Sequence, residues 1–115
     1  MNDNIEKKET STPVEGFIEI MPLVDILDSN DGVTMYFEVP GANRQNIDIE
    51  VKDGVMAIKA VSALRRNGKS IVFKRQFRMA DSVDIGRITA QTQDGVLTLT
   101  IPKSEEAKIH KIKVS

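Results

Sequence analysis

The chain has 115 residues, the usual size of one domain, with 40% apolar residues, 29% charged residues and a formal net charge of −1. That balance allows one apolar core and argues against a general nucleic-acid binder, which carries a strong basic excess. With no Cys and one His (His110), a disulfide scaffold and a thiolate metal site are excluded, and no histidine cluster can form.

Residues 1–15 are polar and charged, with almost no large apolar side chain. They cannot bury enough surface to offset ordering entropy, so they read as a disordered stretch of an arm placed at residues 1–20. The N-terminus lacks the basic start and apolar stretch of a secretory signal. No apolar run approaches the ~18 residues of a membrane span, so the expectation is a cytoplasmic protein with no membrane span. Phe17-Ile18-Glu19-Ile20-Met21 is either a further strand or a sticky segment. Asp25 to Asp31 is acidic like a calcium loop, but the required spacing and the terminal Glu are missing, so it reads as a turn.

From residue 22 onward the apolar period is two. Val33, Met35, Phe37 and Val39 alternate with Thr34, Tyr36 and Glu38. Ile47, Ile49 and Val51 alternate with Asp48, Glu50 and Lys52. Met56, Ile58 and Ala60 share a face, as do Leu97, Leu99 and Ile101. Successive side chains of a strand point to opposite faces, so each run has one buried and one wet side. Asp31-Gly32, Asp53-Gly54, Asn67-Gly68 and Asp94-Gly95 are pairs that adopt the positive φ of tight turns. Asp53-Gly54 joins strand 47–52 to 55–61, and Asp94-Gly95 joins 87–93 to 96–101. Short strands at this spacing predict an all-β sandwich or barrel. Aromatics are scarce, so the core is built mainly from Ile, Val, Leu and Met.

Pro102-Lys103 ends the last strand, since Pro cannot donate to a ladder. Residues 104–115 differ in character: a charged stretch, then Ile109-His110-Lys111-Ile112-Lys113-Val114-Ser115. Ile112 and Val114 face one side of an extended tail that cannot bury them on itself. Such a tail invites docking into a groove by strand addition.

The segment from Ile88 to Lys103, with Ala90, Asp94-Gly95-Val96-Leu97 and Ile101-Pro102-Lys103, resembles the signature of the small heat-shock protein (α-crystallin) family. Phe37-Glu38-Val39-Pro40-Gly41, the strand Ile47-Asp48-Ile49-Glu50-Val51, Phe73 with Arg75, Phe77 and Met79, and the tail Ile112-Lys113-Val114 match further family elements in the expected order. The resemblance spans roughly residues 22–114. It implies an immunoglobulin-like two-sheet β-sandwich over residues 21–103, with a flexible arm before it and a C-terminal extension, 104–115, after it. It also implies ATP-independent holding of unfolding client proteins, no cofactor, no covalent chemistry and no catalytic residues. The partner set it implies is the chain itself, as a dimer or higher oligomer, and its clients. By the same resemblance the tail pegs Ile112 and Val114 dock in a groove floored by Ile47, Ile49, Val51, Ile88 and Ala90, usually on a neighbouring dimer. Those five are also ordinary core-facing positions.

The sequence departs from many bacterial and plant members, whose long loop carries a strand that swaps into the partner. Here only Ser62 to Lys69 intervene, too few for a swapped strand. The expectation is an edge-to-edge dimer through residues 69–78, with Ile71, Phe73, Arg75 and Phe77 at the interface. Arg75 falls on an apolar parity and needs a partner or an escape to water; no acid lies between residues 54 and 80 to supply one. The arm also lacks the Phe- and Trp-rich region of the family, which predicts a modest oligomer. Two rival readings are a CS-type co-chaperone sandwich, which needs no Ile112-Lys113-Val114 tail, and a nucleic-acid module using the basic hairpin Arg65, Arg66, Lys69, Lys74, Arg75 and Arg78.

Overall fold

The alternation at 33–39 and 96–101 forms the centre of the fold. In the computed structural model, which describes residues 16–115, strand β3 (Gly32–Glu38) runs antiparallel to β8 (Val96–Pro102). Met35 lies opposite Leu99 and Phe37 opposite Leu97, and all four side chains are buried. β2 (Val24–Asp28) and β7 (Thr89–Gln93) flank this pair, giving a sheet of order β2-β3-β8-β7. The second sheet has order β1-β6-β5-β4, from β1 (Phe17–Ile20), β4 (Ile47–Lys52), β5 (Val55–Arg66) and β6 (Lys69–Arg78).

The core fills the space between the sheets. Met56, Ile58, Ala60, Ile71 and Phe73 from one sheet meet Met35, Phe37, Leu97, Leu99 and Ile101 from the other. Each large side chain buried this way contributes about 1.5–3 kcal/mol. The architecture is the expected two-sheet all-β sandwich, with only short 3-10 turns outside the strands among the described residues.

Three of the four turn pairs behave as expected. Asp53, Asn67 and Asp94 each have φ near 53°, and the glycines after them have φ of 77°, 77° and 79°. That is the two-residue turn whose twist matches flanking antiparallel strands. Asp31-Gly32 does not have this geometry; neither residue has positive φ. Gly32 is needed for another reason: a Cβ there would meet the Ile101 carbonyl oxygen of β8.

Two further expectations are corrected. The acidic stretch at 25–31 is not all turn, because β2 runs to Asp28 and pairs with β3. Strand β5 does not stop at residue 61 but continues through a bulge to Arg66. Ser62, buried, accounts for that bulge. Its Oγ donates to the Pro40 carbonyl at 2.7 Å and accepts from the Leu64 N–H at 3.0 Å. Residues 62–68 therefore stay within the chain's own β5–β6 hairpin.

The open question at Phe17–Met21 resolves in favour of a strand, since β1 pairs in parallel with β6, Phe17 opposite Ser70 and Ile20 opposite Phe73. Most of the expected arm, residues 1–15, lies outside the described residues.

Candidate interaction sites

The predicted groove residues lie on the outer strands of the two sheets. β4 is the last strand of one sheet and β7 the last of the other, so their edges face each other across an open side of the sandwich. Ile47, Ile49, Ala90 and Leu97, with Arg44, Gln91 and Thr92, line a cleft of about 120 Å³ there. Ile47 and Ile49 are half-buried and Ala90 is exposed, as an unfilled edge requires. Val51 and Ile88 are half-buried against the core and do not line the cleft. Three of the five predicted floor residues are thus brought together.

The tail does not occupy this cleft. Its root is held at the opposite edge of the same sheet, beside the turn after β2. The Lys103 ammonium donates to the Ser29 carbonyl at 2.8 Å and pairs with Asp28 at 3.0 Å. The Ile109 N–H donates to Asn30 Oδ1 at 2.7 Å. Lys108 bridges Glu105 at 2.8 Å and reaches Asp31 at 4.0 Å. That bond holds the exposed Glu105 carboxyl below its ordinary range. Beyond Ile109 the chain has no regular structure, and Ile112 and Val114 are 88% and 91% exposed. Neither the Asn30 contact nor the Lys103 contacts had a signal in the sequence, because both join residues more than 70 positions apart.

β6 is less open than an edge strand. β1 pairs with it from Ser70 to Phe73, and among the described residues no strand pairs with Lys74 to Arg78 on that side. Ile71 and Phe73 are buried in the core, so at an edge-to-edge contact they would take part through their backbone. Arg75 and Phe77 are half-buried. The Arg75 guanidinium lies 5.1 Å from the Phe77 ring centroid, and Phe77 meets Phe37 edge-on at 5.6 Å. Its partner is a carbonyl rather than a carboxylate: Nη1 donates to the Pro22 oxygen at 3.0 Å.

Among the described residues no group of acidic and histidine side chains is placed to hold a metal ion. No helix there is long and apolar enough to cross a membrane.

The geometry matches known proteins. A family model described as the Hsp20/alpha crystallin family matches residues 25–115. The chain is 35% identical over 107 residues to 18 kDa antigen 2 of Mycobacterium avium, covering 84% of this chain and 75% of that protein. It is 29% identical over 122 residues to the 18 kDa heat shock protein of Streptomyces albus G, covering 97% and 85%. Among solved structures it resembles a small heat-shock protein from Xylella fastidiosa, with a TM-score of 0.66 and 26% identity, covering 84% of this chain and 97% of that one. It also resembles hspA from Xanthomonas axonopodis, with a TM-score of 0.63 and 28% identity, covering 73% and 94%.

Proposed function

This chain belongs to the Hsp20/alpha crystallin family, and from that premise we propose that it is an ATP-independent holdase chaperone and not an enzyme. It binds partly unfolded proteins and limits their aggregation. The observation that carries this reading is a mismatch within one chain: an apolar cleft stands open while two apolar pegs, Ile112 and Val114, project into solvent. Each feature is what the other needs, and the clip at Asn30 holds the pegs away from the cleft of the same chain.

Docking of the pegs into a neighbouring subunit links dimers. Burying two such side chains removes roughly 150–200 Å² from water, about 4–5 kcal/mol gross at about 25 cal/mol per Å². Tail ordering and lost rotational freedom offset much of that. The contact is therefore weak and reversible, which suits a surface that exchanges between tail and client. For the dimer itself we favour edge pairing along Lys74 to Arg78, the part of β6 that β1 leaves free, with Arg75 and Phe77 near the contact. The proposed location is the cytoplasm, in keeping with a chain without cysteine. The test is suppression of client aggregation without nucleotide, read alongside particle mass.

A further inference from the structure

β2 is the outermost strand of its sheet, and no strand among the described residues pairs with its outer edge. The Glu38 N–H donates to the Leu23 carbonyl at 3.0 Å. Antiparallel pairing alternates, so Asp25 and Leu27 turn their peptide groups toward β3, while Val24, Ile26 and Asp28 turn theirs outward. Along this free edge Leu23, Ile26 and Leu27 are 70%, 53% and 60% exposed. On the outer face of the sheet, Leu23, Tyr36 and Val96 wall a cleft of about 350 Å³ that also holds Asp25 and Glu38. Asp25 lies directly opposite Tyr36, and Glu38 directly opposite Val96. Neither carboxylate is in a salt bridge among the described residues. Residues 16–43 hold Glu19, Asp25, Asp28, Asp31 and Glu38, and no Lys, Arg or His.

We propose that the β2 edge takes up an extended client segment in which apolar residues alternate with Lys or Arg. This rests on the holdase reading and names the class of client sequence. A segment added to β2 pairs its backbone with Val24, Ile26 and Asp28. Its side chains of one parity lie beside Ile26, over the gap between the sheets, where apolar groups are favoured. Those of the other parity lie beside Leu23, Asp25 and Leu27, where a cation meets the Tyr36 ring and the Asp25 and Glu38 carboxylates. The chain's own hairpin end carries similar chemistry in Leu64, Arg65 and Arg66. Past the bulge, however, its free edge runs only from Leu64 to Arg66. That falls well short of the ~800 Å² per partner of a stable subunit contact.

The test uses fluorescence anisotropy with two labelled peptides, one alternating Val with Lys and one alternating Val with Glu, on the full chain. The Val–Lys peptide binds at least tenfold tighter. Asp25→Asn/Glu38→Gln abolishes most of that preference, whereas Asp48→Asn/Glu50→Gln, an equal change of net charge on the other sheet, leaves it. Equal binding of both peptides, or equal effects of the two double variants, overturns the proposal. A drop in particle mass with Arg65→Glu/Arg66→Glu also overturns it, by showing β2 to be a subunit contact. If peptide preference is absent while client aggregation is still suppressed, this inference falls and the holdase reading stands.

Discussion

Arg75 and Pro22, separated by 53 residues, are joined by a hydrogen bond of 3.0 Å from the guanidinium to the carbonyl oxygen. The bond ties the loop between β1 and β2 to β6, and so one sheet to the approach of the other. Pro22 is itself buried, and among the described residues its carbonyl receives its side-chain hydrogen bond from Arg75. Arg75→Ala should lower the free energy of unfolding by about 1–3 kcal/mol, the cost of leaving such a group unpaired. Arg75→Lys should recover only part, since an ammonium lacks the planar fork and stacks less well on Phe77. Urea titration at one fixed protein concentration measures both; a wild-type midpoint for Arg75→Ala contradicts the assignment.

The tail gives the second expectation. Ile112→Ala/Val114→Ala should reduce the assembly to its dimer without altering the sandwich, because both side chains lie outside the core. Light scattering reads the mass and circular dichroism the fold. An unchanged mass rules out linkage through these pegs.

The glycines separate two physical requirements. Gly68→Ala should cost about 1–2 kcal/mol, because φ is +77° there and the space around it is open. Gly32→Ala should cost about 1–3 kcal/mol by overpacking and should act on the β3–β8 pairing, where the new methyl would meet backbone of Ile101 and Pro102. Hydrogen exchange distinguishes them: protection in β3 and β8 falls with Gly32→Ala and holds with Gly68→Ala.

Much of this fold is legible in the sequence where a strand has one wet and one buried face. Met35 and Phe37 lie in a strand with a neighbour on each side, so from Met35 to Val39 the alternation maps directly onto burial. β2 is illegible for the opposite reason: as an outer strand it exposes Ile26 and Leu27 together, and alternation disappears. The pairing of β1 with β6 and the partner of Arg75 depend on contacts across some fifty residues, which no local pattern encodes. The docking groove is half legible. The period identifies Ile47, Ile49 and Val51 as one face, but only the tertiary arrangement separates the cleft-lining pair from Val51.

Glu105 supplies a pH-dependent feature at the tail root. Its carboxyl is held low chiefly by the hydrogen bond from Lys108, then by the charge of Lys108. A depressed folded pKa means the interaction is present above the ordinary carboxylate range and is lost as pH falls through the lowered value. Carbon NMR should therefore give Glu105 a lower titration midpoint in the wild type than in Lys108→Met. Equal midpoints contradict the pairing.

The central claim is that this sandwich holds unfolding proteins without nucleotide. Its most direct test is the heat-induced aggregation of a client enzyme, followed by light scattering with equimolar chain and no ATP. Suppression of the scattering signal, with the chain recovered in a soluble complex with client, is the predicted result. Client that aggregates at the same rate and to the same extent with and without the chain contradicts it.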